Sequence, residues 1–211
     1  KECNVLKGTK LPLMNYSWNL IDNCSKLIMS DYTLLQEKEA TGTVDERVVI
    51  YGEKSSVHVN KGASVEANVV LDTRNGPIYV GRNSVGHSGS RITGPVHLGD
   101  DTVISSALIR EGCSIGNLCR IGGELEETIV HSCTNKHHLG YFGHSYVGEW
   151  VNIGASTTNS DLKNTYGTVS ANTNGKKVNT KKTKVGCFIG DHAKTSIGTQ
   201  VYTGKKIGVA A

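Results

Sequence analysis

The sequence predicts an all-β fold, a parallel β-helix built from hexapeptide repeats and preceded by a helical linker. Apolar residues recur every six positions through most of the chain, as at Ile109, Ile115 and Ile121. A six-residue period fits neither an α-helix nor an isolated strand, and it is typical of repeat architectures. Glycine is also enriched, at 25 of 211 residues, against a usual share of about 7%. We expect these glycines to take the positive-φ position at the corners of each coil.

The repeat continues almost to the end of the chain. Its units have an apolar first residue, then Gly or a small or polar residue, and a small or β-branched residue four places on. Units start at Val59, Val65, Val80, Leu98, Val147 and Ile153, and the same step continues through Ile189, Thr195, Val201 and Ile207. Three units make a triangular coil, and coils stack about 4.8 Å apart through parallel hydrogen bonds. We expect about six coils in residues 47–156 and one and a half in 185–211. An ordinary β-sandwich is the alternative, which the weak alternation disfavours.

A helix precedes the repeat. Its apolar residues return at steps of three, four and seven, and the segment Asn15–Glu39 contains neither Gly nor Pro. These apolar residues are Trp18, Ile21, Leu27, Ile28, Leu34 and Leu35. The pattern predicts a helix over residues 11–39. A lone helix needs a partner, either the end of the prism or another domain. We therefore divide the chain into a linker, residues 1–45, and a β-helix domain, residues 46–211.

Residues 158–184 interrupt the repeat. They are polar, rich in Asn, Thr and Lys, and contain a turn signal at Asn174-Gly175, so we expect a loop excursion from the coil. Lys176 and Lys177 belong to a lysine-rich run that could contact the phosphates of a nucleotide-bearing cofactor. A solvated, charged loop is the common alternative.

Composition excludes several classes of protein. The net charge of +4 is mild and the basic residues form no stripe, which argues against nucleic-acid binding. No apolar run approaches the roughly 18 residues of a membrane span. The six cysteines contain no CxxC pair and no signal peptide is visible, so we expect reduced thiols and a cytoplasmic location. Because the chain begins with Lys1, we interpret it as a fragment of a longer protein.

A basic, His-rich turn lies directly before the unit that starts at Val147. An imidazole that titrates near neutral pH can accept a proton from a nucleophile, so His138 is the candidate base. Lys136, Tyr141 and Asn152 are close enough in sequence to share its rim, where they could hold an anion or donate to a carbonyl oxygen. A solvated histidine, or one at a subunit contact, is the alternative.

Arg110 follows a shortened step of five residues between Ile104 and Ile109. An extra bend there could push the guanidinium outward to bind a phosphate in bidentate fashion. An ordinary surface arginine is the alternative.

Histidines are dense around this region. Imidazole and thiolate groups suit zinc, and the candidates are His131, Cys133, His137, His138 and His144. Their spacing matches no strong ligand pattern, so we expect no metal.

Two motifs resemble a known enzyme family. The first reads His138-Leu-Gly-Tyr141-Phe-Gly143 and the second Val151-Asn152-Ile-Gly-Ala155-Ser156-Thr157. They resemble the acetyltransferase domain of bifunctional bacterial glucosamine-1-phosphate acetyltransferase/N-acetylglucosamine-1-phosphate uridyltransferase. The stretches Ile121–Glu126 and Thr157–Gly167 are more similar to an alternative branch of sugar-nucleotide enzymes with the same two-domain plan.

This resemblance implies a left-handed β-helix and a homotrimer with acetyl sites between neighbouring prisms. It also implies acetyl-CoA as co-substrate, glucosamine 1-phosphate as acceptor, and an N-terminal nucleotidyltransferase domain missing from this chain. The candidate site residues are then His138 as general base, Arg110, Lys136, Tyr141 and Asn152 as substrate contacts, and Ala155, Ser156, Lys176 and Lys177 as cofactor contacts.

The leading hypothesis is therefore acetyl-CoA-dependent N-acetylation of a hexosamine 1-phosphate. A non-catalytic domain that trimerises and regulates a sugar-phosphate nucleotidyltransferase is the alternative from a different class. A third hypothesis, a metal-dependent hydratase, requires zinc at His131 or His144.

Overall fold

The chain winds as a parallel β-helix. The structure, a computed structural model, describes residues 13–35 and 40–211. One α-helix, α1 (Ser17–Leu35), precedes short strands that enter three sheets in turn, and neighbouring strands in these sheets run parallel. The predicted fold class, a parallel β-helix after a helical linker, is confirmed.

Three flat faces form the sides of the prism. Face A contains β1 (Thr43–Val44), β4 (Ser64–Val65), β7 (Val85–Gly86), β10 (Val103–Ile104), β13 (Arg120–Ile121) and β16 (Asn135–Lys136). Face B contains β2 (Val49–Tyr51), β5 (Val70–Asp72), β8 (Arg91–Thr93), β11 (Leu108–Ile109), β14 (Glu124–Glu126) and β17 (Tyr141–Gly143). Face C contains β3 (Val57–Val59), β6 (Ile78–Val80), β9 (Val96–Leu98), β12 (Cys113–Ile115), β15 (Ile129–Val130), β18 (Tyr146–Val147), β22 (Phe188–Ile189) and β24 (Lys206–Ile207).

The remaining short elements complete the coils. β19 (Thr158–Asn159) pairs with β23 (Gln200–Val201), and hydrogen bonds between Thr158 and Tyr141 join this pair to face B. Asn152 and Lys194 extend face A through isolated parallel bridges. A 3-10 turn occupies Lys54–Ser56, and β20 (Ser170–Thr173) and β21 (Lys176–Asn179) form an antiparallel hairpin.

The hydrophobic core is a set of apolar columns inside the prism. On face B, Ile92, Ile109, Leu125 and Phe142 lie in register on successive coils, and each is fully or almost fully buried. Burying each such side chain contributes about 1.5–3 kcal/mol. The six-residue period therefore arises because each side of the triangle points one apolar residue inward.

Glycine does not occupy the corners of the coils in the way that the sequence analysis predicts. Many positive-φ corner residues are not glycine, and one column of them comprises Asn83, Asp101, Leu118, Cys133 and Trp150. The second-position glycines serve close packing instead: a Cβ on Gly99 would lie 2.6 Å from the carbonyl carbon of Gly116 in the next coil. The expectation that glycine occupies the positive-φ corners is thus wrong for this column.

Helix α1 lies along face C, against β9 and β12, rather than on the end of the prism. Its buried residues are Trp18, Ile21, Cys24, Ile28 and Tyr32. Leu34 and Leu35, two of the apolar residues whose spacing predicts the helix, are exposed. The buried side of the helix runs from Trp18 to Tyr32 and does not include them. Residues 11–12 and 36–39 of the predicted helix lie outside the described residues.

The excursion packs onto the start of the helix. The chain leaves the coil after β19, turns at Asn174-Gly175 between β20 and β21, and returns at β22. Val169 and Val185 from this segment form a second apolar cluster with Trp18 and Phe188. An ion pair between Lys182 and Asp22, 3.0 Å long, adds a polar contact. The segment therefore covers helix α1 instead of lying free in solvent.

The described residues include no helix with the length and apolarity needed to cross a membrane. Cys24, Cys113, Cys119 and Cys187 are buried free thiols, and Cys133 is partly exposed and also free. Burial raises the pKa of Cys119 and of Cys187 to about 11. Cys3 lies outside the described residues.

We expect Trp18→Ala to lower the free energy of unfolding by about 3–5 kcal/mol, because it leaves a cavity between the helix and the excursion. Denaturant unfolding followed by circular dichroism measures this. Leu34→Ala is the control: its side chain is 82% exposed, so a change within about 0.5 kcal/mol is expected. Equal losses in both variants would contradict the packing of α1.

Candidate functional site

The corner between faces A and B carries the most specific motifs. The turn at residues 137–140 links β16 to β17, and in the next coil residues 154–157 lead from Asn152 to β19. The Ser156 amide donates to the Leu139 carbonyl over 2.9 Å. We call these two turns the His138 corner. Coil stacking therefore brings together His138 and the Ala155-Ser156 pair.

His138 is exposed at the surface of this corner. Its ring meets the ring of His137 edge-on, with centroids 5.2 Å apart. Within the described part of the chain no hydrogen bond orients the His138 imidazole. An exposed imidazole of this kind can accept a proton from a ligand group that approaches it.

Asn152 lies on the face A side of the corner. The side-chain amide of Asn135 donates to Asn152 Oδ1 over 3.0 Å, and both side chains are exposed. The Nδ2 group of Asn152 is then the end of this pair that can donate to a ligand.

Face B carries a polar cluster beside the corner, which comprises Arg110, Glu126, Tyr141, His144, Asp161 and Lys184. Three of its groups surround the Glu126 carboxylate: Arg110 Nη1 at 3.1 Å, Tyr141 Oη at 3.2 Å and Lys184 Nζ at 3.3 Å. Burial opposes ionisation of Glu126, but Lys184 and the other donors hold its pKa below the usual value. Glu126 therefore links Arg110 to Tyr141.

Asp161 organises the other half of this cluster. The Tyr141 hydroxyl donates to Asp161 Oδ2 over 2.9 Å, and His144 Nδ1 lies 2.8 Å from the same oxygen. Burial and the charge of Asp161 raise the pKa of Tyr141, so its hydroxyl stays a proton donor. Burial opposes ionisation of Asp161, but the hydrogen bond from His144 keeps its pKa low.

Arg110 is exposed on face B, but its guanidinium is already paired with carboxylates and is not free to bind a phosphate. Its Nη1 atom contacts Glu126 at 3.1 Å and Glu124 at 3.4 Å. Burial would lower the pKa of Arg110, and these two carboxylates raise it. Any anion that binds here competes with glutamate for the guanidinium.

Lys136 lies in a different place from the one we predicted. Its side chain points into the prism and is 3% exposed. Its Nζ donates to the carbonyls of Gly122 and His138 over 2.8 and 3.1 Å, and burial lowers its pKa to about 8. The prediction that Lys136 lies on the rim beside His138 is therefore wrong, because strand alternation turns Asn135 outward and Lys136 inward.

Lys176 and Lys177 are exposed on β21. The hairpin that carries them leaves the coil between faces B and C, whereas His138 lies between faces A and B. The structure therefore does not bring these lysines to the His138 corner.

Sequence reasoning missed Glu126 and Asp161, considered His144 only as a metal ligand, and considered Lys184 only as part of the lysine-rich run. Most contacts of the cluster join residues one coil apart, 15 to 17 residues in sequence. That separation is the signal that could have found them. His131 pairs with Glu149 at 2.8 Å, and the described residues contain no group of three or more His, Cys, Asp or Glu that could hold a metal.

No protein-family model matches the chain. The bifunctional protein GlmU of Synechococcus sp. (strain CC9605) is 28% identical, over 92% of this chain and 44% of the relative. The bifunctional sugar-1-phosphate nucleotidylyltransferase/acetyltransferase of Sulfurisphaera tokodaii is 35% identical, over 42% of this chain and 22% of the relative. GlmU of Thermotoga petrophila is 31% identical, over 53% and 23%. The predicted resemblance to such bifunctional proteins is confirmed, and the chain spans less than half of each of these three relatives.

The depressed pKa of Lys136 predicts a pH dependence of stability. The folded protein binds this proton less tightly than the unfolded chain, since about 8 lies below the ordinary value of 10.5. Lys136 therefore makes the free energy of unfolding rise by about 3 kcal/mol, mainly between about pH 8 and 10.5.

Urea unfolding of the wild-type protein and of Lys136→Met, at pH 7 and pH 10, measures this contribution. The difference between the two proteins should move in favour of the wild type at pH 10. A difference that is the same at both pH values would contradict the burial of the lysine.

Proposed function

We propose that this chain, as a relative of bifunctional nucleotidyltransferase/acetyltransferases, transfers the acetyl group of acetyl-CoA to the amine of a hexosamine 1-phosphate. Glucosamine 1-phosphate is the leading acceptor. The observation that carries the proposal is the stacking of the His138 turn on the Ala155-Ser156 turn, over a hydrogen bond of 2.9 Å. A proton acceptor and a turn with backbone donors thereby lie on one corner.

His138 acts as the general base. The amine lone pair attacks the thioester carbonyl, so a carbon–nitrogen bond forms and the carbonyl oxygen becomes an oxyanion. The imidazole takes the proton that the nitrogen loses. The carbon–sulfur bond then breaks, and the coenzyme A thiolate leaves and recovers a proton from the imidazolium. Acetyl transfer is direct and needs no acyl-enzyme.

The Ala155 amide is the proposed oxyanion donor. In its turn, the amides of Gly154, Ser156 and Thr157 already donate to Thr195 Oγ1, to Leu139 O and to Gly154 O. Ala155 is thus the donor that remains for a ligand. A backbone amide aimed at a developing oxyanion typically contributes several kcal/mol to transition-state stabilisation. Ser156 supports the site through its backbone, by joining the two turns.

Arg110 and Lys184 are the proposed phosphate contacts, and Asn152 a contact for the sugar. Both cations converge on Glu126, and an arginine retains further N–H groups for a second anion. The Tyr141 hydroxyl donates its proton to Asp161, so next to these cations its oxygen can accept a hydrogen bond from the ligand. The cluster would then hold the phosphate on face B while the amine points to the corner.

The assembly is proposed to be a homotrimer in which a neighbouring prism closes the site over face B. The name of the Sulfurisphaera tokodaii relative includes a nucleotidylyltransferase activity, and a domain of that kind elsewhere in the full protein would use the acetylated product. Trimers that bind neither acetyl-CoA nor the sugar phosphate would instead favour the non-catalytic module.

His138→Ala should lower turnover about 10²–10⁴-fold, because the amine loses its proton acceptor. Release of free thiol from acetyl-CoA, in the presence and absence of glucosamine 1-phosphate, is the assay. His137→Ala is a matched control, since His137 is the exposed neighbour in the same turn, and it should retain most activity. The proposal fails if the turnover of both variants equals that of the wild type. It also fails if thiol release does not depend on glucosamine 1-phosphate.

Arg110→Ala should raise the KM for glucosamine 1-phosphate about 10–100-fold, as expected for a lost charge-assisted hydrogen bond. The KM for acetyl-CoA should change little. Arg47→Ala provides the control, because Arg47 pairs with Asp45 in the first coil, far along the prism. Parallel rises in both KM values would argue against a phosphate contact at Arg110.

A further inference from the structure

Lys136 is a charged side chain inside an apolar prism. An ammonium group taken out of water costs several kcal/mol unless other groups compensate for its lost hydration. Among the residues that the structure describes, no carboxylate forms an ion pair with Lys136, and its Nζ lies 5.5 Å from the centroid of the Phe142 ring. A methionine would fill the same volume without this cost, so the charge calls for an explanation.

The ammonium joins two coils at the His138 corner. It donates to the Gly122 carbonyl in one coil and to the His138 carbonyl in the next, over 2.8 and 3.1 Å. The second contact is with the backbone of the candidate base itself. Lys136 therefore joins the turn that carries His138 to the preceding coil.

Two glycines pack closely against the ammonium and the turn. A Cβ on Gly123 would lie 2.9 Å from Lys136 Nζ and 2.7 Å from the Gly140 carbonyl oxygen. A Cβ on Gly122 would lie 2.8 Å from the carbonyl carbon of His137. The two adjacent glycines thus open the space that both the ammonium and the turn occupy.

The His138 ring needs such support from its backbone. Catalytic histidines are commonly oriented by a hydrogen bond from the second ring nitrogen to a carboxylate or carbonyl. His138 has no such bond in the described structure, although His131 and His144 each have one. The direction of its ring therefore depends on its turn, which Lys136 anchors from inside and Ser156 from the next coil.

We infer that Lys136 is a positioning residue that acts from inside the prism: its buried ammonium holds the turn that presents His138. It does not touch the substrate. The inference rests on the proposed function in one respect, that His138 is the base, and the anchoring of the turn stands apart from it.

The test compares Lys136→Met with Thr134→Val. The Thr134 hydroxyl is also buried, and it donates to the Gly148 carbonyl and accepts from the Val151 amide. The two variants therefore each remove a buried polar anchor, but only Lys136 contacts the His138 turn. Lys136→Met should lower kcat for thiol release about 10–100-fold and leave both KM values within about twofold. Thr134→Val should keep kcat close to that of the wild type.

Amide hydrogen exchange of residues 137–140 gives a readout that does not need activity. Exchange there should become faster in Lys136→Met and stay unchanged in Thr134→Val. If Lys136→Met does not fold, Lys136→Gln, which keeps a neutral donor, takes its place. Unchanged kcat with unchanged exchange would overturn the inference. A wild-type protein without acetyl transfer would refute the proposed function, while faster exchange in the variant would still support the anchor.

Discussion

The parallel hydrogen bonds between successive coils are the constraint on which the rest of the structure depends. They place each residue directly above its counterpart one coil earlier, as Glu124 lies beside Tyr141 and Ile121 beside Lys136. Because the register is kept along a face, the buried apolar residues form continuous columns. The corner residues form columns of their own. Residues that are about 17 positions apart in sequence therefore become neighbours. The candidate site consists of such neighbours.

The buried apolar residues could be predicted from the sequence because they recur with the six-residue period. Ile109 and Ile121 recur at six-residue steps, and both are fully buried. The helix could be located but not oriented. Its apolar residues lie on more than one side, and only the packing against face C and the excursion selects Trp18 and Tyr32 over Leu34. The corner residues were misjudged because Asn, Asp and Leu also adopt positive φ where the register demands it.

The site was predictable where a motif lies within one turn. His138, Ala155 and Ser156 of the two motifs lie on one corner, and Tyr141 of the first motif lies beside it on face B. The side-chain direction of Lys136 could not be predicted, since it depends on how the pleat resumes after the preceding corner. The cluster around Glu126 was not predicted for another reason: its contacts join different coils, whose lengths differ by several residues along the chain.

The central claim is that the His138 corner and the polar cluster on face B form one binding site. Hydrogen exchange of the wild-type protein, with and without coenzyme A and glucosamine 1-phosphate, tests it most directly. The account predicts that residues 137–143 and 154–159 exchange more slowly when both ligands are present. Exchange in the first coils, residues 43–98, should stay unchanged. Protection confined to the hairpin at residues 170–179, or none at any residue, would contradict it.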